Sequence, residues 1–324
     1  MNKLILGAII TTLNMGISIT AAKADCGDIS IGAMSWASGE TITAVATFVL
    51  EQGYGCSVQI IPTDTQPAVT SLAENGQPDI VLELWKNLAA DYDDLEASGK
   101  IITASNTFTS GGEEGWWIPA SLAKKYPELR TIEGVVANPE LVGSRFHNCP
   151  IGWGCRIVND NLKVLHKLEA NGIEVFHYSS GASLVASIAA AFADNEPWFG
   201  YYWGPTAALG KYKMTKLHSS YVDPDQHSIK QNPYSSEDKL GLSGFPSTPV
   251  LNVVTADLAK REPEVFKFLQ NMSFPNDIIS KMLAWKETNK ATAGEAAAWV
   301  LKNYKGVILS WVNDDTKAIL SELL

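Results

Sequence analysis

Four tryptophans stand at strand-to-helix corners of the chain: Trp36 in MSWASGE, Trp85 in LELWKN, Trp153 in CPIGWGC and Trp203 in YYWGP. Each follows an apolar run and precedes a helix start, with Gly or Ser nearby. A single large aromatic at such a corner fills a sheet edge; four together point to a shared site. Indole faces attract positive charge, by about 0.5–2 kcal/mol each depending on desolvation, and suit a methylated ammonium that cannot donate hydrogen bonds. No basic cluster accompanies these corners, although Arg145 and Arg156 flank the third. GGEEGWW adds Trp116 and Trp117 beside Glu113 and Glu114, and an acid there would lower the cost of burying a cation. Adjacent residues of an extended chain point to opposite faces, so one of the two tryptophans is expected to face the cleft.

The third corner lies in HNCPIGWGC, where Cys149 and Cys155 bracket Trp153. The other cysteines are Cys26 and Cys56, and an even count in an exported chain reads as two disulfides, paired locally as Cys149–Cys155 and Cys26–Cys56. The absence of C-x-x-C disfavours a zinc site built from the four thiolates, and no metal or cofactor is expected. Export itself is read from residues 1–24: Lys3, a mildly apolar stretch, and a small-x-small AKA, which together form a signal peptide cleaved near Ala24. The apolar stretch is too short and too interrupted by polar residues for a membrane span. A soluble periplasmic chain beginning at Asp25 follows.

These corners need a frame of strands and helices. DISIGAMSW, CSVQIIP and PDIVLELW read as strands, with helices over 39–55 and 68–76 between them. The same grammar returns in LVGSRF, IEVFHYS and PWFGYYW, separated by helices over 156–172 and 182–196. Two βαβαβ units predict an α/β protein with two parallel sheets and helices on their faces. Ligands of such sheets bind beyond the carboxyl ends of the strands, where the four tryptophans fall. A loop-rich stretch after about residue 215 leads to a further strand, VLNVVT, and to C-terminal helices whose Trp285, Trp299 and Trp311 read as packing residues.

The 324 residues allow two lobes, and a net charge of -10 argues against a nucleic-acid partner. An exported hydrolase is the rival class. Its best motif, GASLV around Ser183, lacks the final glycine of a nucleophile elbow, and the five histidines show no metal-ligand spacing.

The mature chain resembles the periplasmic substrate-binding proteins of ABC importers for glycine betaine, proline betaine, choline and related compounds. CPIGWGC is similar to that family's disulfide-closed loop, whose tryptophan stacks on a trimethylammonium while the backbone N–H groups that follow hold a ligand carboxylate. The resemblance implies these roles for Trp153, Gly154 and Cys155, and makes Trp36, Trp85 and Trp203 further walls of the cage. It also implies a type II periplasmic-binding fold with the ligand in the interlobe cleft. Lobe I would comprise residues 25–112 and 216–324, and lobe II residues 113–215. The expected partners are a methylated amine and an inner-membrane permease with its ATPase, served by a monomer; a sensing module with the same cage is the other role. Ser38 stands where the choline branch has an aspartate, whereas members that bind trimethylamine N-oxide combine a tryptophan box with a nearby glutamate. The resemblance therefore ranks glycine betaine and trimethylamine N-oxide ahead of choline.

Overall fold

The computed structural model describes residues 26–218 and 245–324. The expected signal peptide, and most of the loop-rich stretch before VLNVVT, lie outside these residues. Two five-stranded sheets organise the chain. In the first, β1 (Asp28–Met34), β2 (Ser57–Thr63) and β3 (Ile80–Trp85) run parallel in the order β2-β1-β3. They are connected by α1 (Ala37–Phe48), which continues into a π-helical turn ended by Gly55, and by α2 (Thr65–Asn75). Every residue of β3 is buried, as its apolar run requires of a strand covered on both faces. β4 (Ile101–Asn106) forms the far edge.

The second sheet repeats the device. β6 (Arg145–Asn148), β7 (Glu174–His177) and β8 (Gly200–Gly204) make its parallel half, with α3 (Gly154–Leu165) and α4 (Gly181–Asp194) as crossovers. β5 (Glu113–Pro119) and β9 (Met214–Lys216) complete it.

Neither sheet is wholly parallel. β10 (Val250–Thr255), the strand foreseen in VLNVVT, inserts antiparallel between β3 and β4. GGEEGWW enters β5, which lies antiparallel to both β8 and β9. A strand's own residues encode its burial and not its direction, so the two βαβαβ units were readable and these late partners were not. The second sheet holds the chain as far as His218, since Leu217 and His218 donate backbone bonds to Trp116 and Arg130. In the C-terminal helices Trp285 stacks on Trp299 at 5.5 Å, and Trp311 meets Phe274 edge-on at 4.8 Å, so these rings pack between elements.

Candidate functional site

Trp36 caps the N-terminus of α1, Trp85 ends β3, Trp153 caps α3 and Trp203 is the penultimate residue of β8. All four thus leave the carboxyl ends of the parallel strands, and they line one cavity between the sheets. Gly154 and Cys155 line it as well, together with Tyr201, Thr65 and Leu88. The rings of Trp36 and Trp153 meet at 5.3 Å and 76°, and those of Trp153 and Trp203 at 5.1 Å and 84°. Such edge-to-face contacts are favourable between aromatics and close the space to about 20 Å³, room for roughly one water.

Trp153 is held from several sides. The Cys149–Cys155 disulfide closes its loop, as Cys26–Cys56 ties β1 to β2. Its Nε1 donates to Ser35 Oγ at 3.0 Å, and that hydroxyl donates to Asp64, whose carboxyl burial pushes up. Close approach demands glycine at two points. A Cβ at Gly154 would collide with the Leu88 carbonyl, and one at Gly181 would lie 2.9 Å from the Trp153 ring. The first N–H groups of α3, those of Gly154 and Cys155, have no acceptor within the helix, and both residues line the cavity.

Two buried carboxylates stand behind the rings. Glu83 Oε1 accepts from Trp36 Nε1 at 2.7 Å, Ser38 Oγ at 2.8 Å and Trp85 Nε1 at 3.4 Å. Burial raises its pKa to about 8 against these bonds. Glu114 accepts from the Tyr201 hydroxyl at 3.4 Å, and burial raises it to about 8 although Thr248, Lys216 and Tyr201 pull the other way. Burial, reinforced by Glu114, keeps the Tyr201 phenol protonated. Among the described residues no Lys or Arg lines the cavity: Arg145 pairs with Glu174, and Arg156 with Asp160.

Three residues expected at the site stand elsewhere. Glu113 pairs with Lys216 at 3.6 Å on a neighbouring cleft. Trp116 is packed against Phe146 and Phe199 and donates to Asn159 of α3 at 2.8 Å. Trp117 donates to the Tyr202 carbonyl at 3.0 Å. The pleat does send the two indoles to opposite faces, but β5 is internal to the sheet and both faces are covered, so neither reaches the strand ends. Tyr201 and Glu83 were missed. The only signal for Glu83 is a carboxylate set inside the apolar run IVLELW. Ser183 of the hydrolase reading donates its hydroxyl to the Ser180 carbonyl at 2.8 Å within the cap of α4.

Two sheets with a cavity at the carboxyl ends of their strands define a two-lobed solute-binding protein of the periplasmic type. Solved structures share this fold. A choline-binding protein of an ABC transporter, in complex with choline, matches with TM-score 0.73 and 20% identity over 92% of this chain and 98% of its own. The glycine betaine/L-proline-binding protein ProX from Borrelia burgdorferi matches with TM-score 0.71 and 18% identity, covering 90% and 99%. Lactococcal OpuAC, complexed with glycine betaine, matches with TM-score 0.68 and 18% identity, covering 89% and 100%. No curated protein sequence matches the chain. The model of the substrate-binding domain of ABC-type glycine betaine transport systems matches residues 27–303, and the chain belongs to that family. It is a transport solute-binding protein, which takes up a small ligand for delivery to a permease, and its family is not one of enzymes.

Proposed function

We infer that the protein captures a small methylated ammonium compound in the periplasm, with glycine betaine and trimethylamine N-oxide ahead of choline, and delivers it to an inner-membrane ABC permease. The observation that carries this reading is the convergence of Trp36, Trp85, Trp153 and Trp203 from four strand ends on one cavity without a basic side chain. Their faces offer cation–π attraction, and the free N–H groups of Gly154 and Cys155 offer donors for a carboxylate or N-oxide oxygen. Choline has only a hydroxyl for those donors. Residues 26–112 with 245–324, and residues 113–218, are the halves that part to admit the ligand.

Intrinsic fluorescence tests this. Glycine betaine or trimethylamine N-oxide at saturating concentration is expected to shift the tryptophan emission, because four of the ten indoles line the cavity. Emission unmoved by either compound and by choline would sink the assignment.

A further inference from the structure

We propose that Glu83 is the positioning residue of the box: its carboxylate holds Trp36 and Trp85 by their indole N–H groups and, once ionised, supplies the counter-charge behind both rings. The proposal rests on the box binding a methylated ammonium.

Glu83 takes no part in the cavity wall, yet one of its oxygens accepts from two of the four wall indoles and from Ser38. A bond from N–H to an ionised carboxylate is stronger than a neutral one and fixes the ring edge. It also polarises the indole, moving electron density toward the face that meets the cation. The other oxygen, Oε2, is buried without a donor among the described residues. A charge so placed is costly unless a cation compensates it. The backbone is built to aim this group. Glu83 has φ 56, a left-handed conformation that costs energy outside glycine and persists where surroundings enforce it. It lies opposite the register shift between Leu251 and Val253 of β10, the kind of irregularity that re-aims a side chain.

Among the described residues, burial and three hydrogen bonds account for the carboxyl's state. The elements packed on β3 carry Asp28 in β1, Glu40 in α1, Glu74 in α2 and no titratable group in β10. Glu40 pairs with Lys286 at 3.8 Å, and Lys86, just beyond β3, pairs with Asp93 at 2.9 Å. Burial therefore favours the neutral acid in the ligand-free protein, and a bound cation favours the carboxylate, so binding releases a proton from Glu83 to solvent.

Two measurements test this. Glycine betaine and tetramethylammonium keep their charge between about pH 6 and about pH 9, so a pH slope in their binding belongs to the protein. The wild type should bind both at least about tenfold more tightly at the higher pH. Glu83→Gln, which preserves the acceptor but cannot ionise, should lose that slope, whereas Glu40→Gln, which removes the carboxylate of α1 paired with Lys286, should keep it. Without ligand, the indole N–H resonances of Trp36 and Trp85 should titrate together in the wild type, with a midpoint far above that of an ordinary carboxyl. A slope retained in Glu83→Gln, or one lost only in Glu40→Gln, overturns the proposal, as do indole resonances that ignore pH. If neither compound binds the wild type, the box reading falls, and the resonances alone decide whether Glu83 holds the indoles.

Discussion

Trp153 and Trp116 are both buried indoles with a hydrogen-bonded N–H, but only one of them faces the cavity. They should therefore respond differently to substitution. Trp153→Ala and Trp203→Ala are each expected to weaken binding of a methylated ammonium by about tenfold or more, from about 1–2 kcal/mol per desolvated cation–π wall. Trp116→Phe should cost about 1 kcal/mol of stability through the lost bond to Asn159 and leave affinity unchanged. Calorimetric titration with a thermal melt of each variant checks all three. The corner tryptophans were legible because a strand followed by a helix announces its own carboxyl end. Trp116 and Trp117 were misplaced because they stand in the middle of β5, a strand located only by its antiparallel partners β8 and β9. Glu83 stayed hidden because neither a left-handed backbone nor the extra residue that β3 carries opposite Asn252 of β10 leaves a mark in IVLELW.

Among the elements, the loop from Cys149 to Cys155 brings both an indole and the first residues of α3 to the cavity. Pre-organisation of this kind lowers the ordering cost of binding. Reduction of Cys149–Cys155 should accordingly weaken binding while the protein stays folded, because the sheets on either side do not depend on it. Circular dichroism together with titration after confirmed reduction checks both halves; unaltered affinity would count against the loop. Gly154→Ala asks a sharper question. Its new methyl meets the Leu88 carbonyl of the opposite lobe, so it should lower affinity by holding the lobes apart without disturbing the disulfide. The local cysteine pairing was legible from spacing alone. The Leu88 contact was not, because it joins two lobes whose docking no local pattern describes.

For the molecule as a whole, the buried acids make stability depend on pH. Glu83 and Glu114 are raised from 4.5 to about 8 by burial. Below about pH 4.5 folded and unfolded chains both hold these protons, so the two groups leave stability unaffected. As pH rises from there, the unfolded carboxyls ionise first and stability falls, until the folded groups ionise near pH 8. Melting temperature measured without ligand should decline across that window, and Glu83→Gln and Glu114→Gln should each flatten the decline. The box is also shut in this state. A cavity of about 20 Å³ cannot take a trimethylammonium, so the rings of Trp36, Trp153 and Trp203 have to part before they can grip one. The two-lobed plan was legible from the doubled βαβαβ grammar, and the mixed character of each sheet was not, because β10 reaches β3 from far along the chain.

The most direct test of the central claim is calorimetric titration of residues 25–324 with glycine betaine, trimethylamine N-oxide, choline, carnitine and dimethylsulfoniopropionate, with glycine and proline as controls. Tight binding of a methylated ammonium compound, with none of the controls, is the predicted result. Silence across the panel, or equal binding of unmethylated glycine, would contradict a tryptophan box for methylated ammonium.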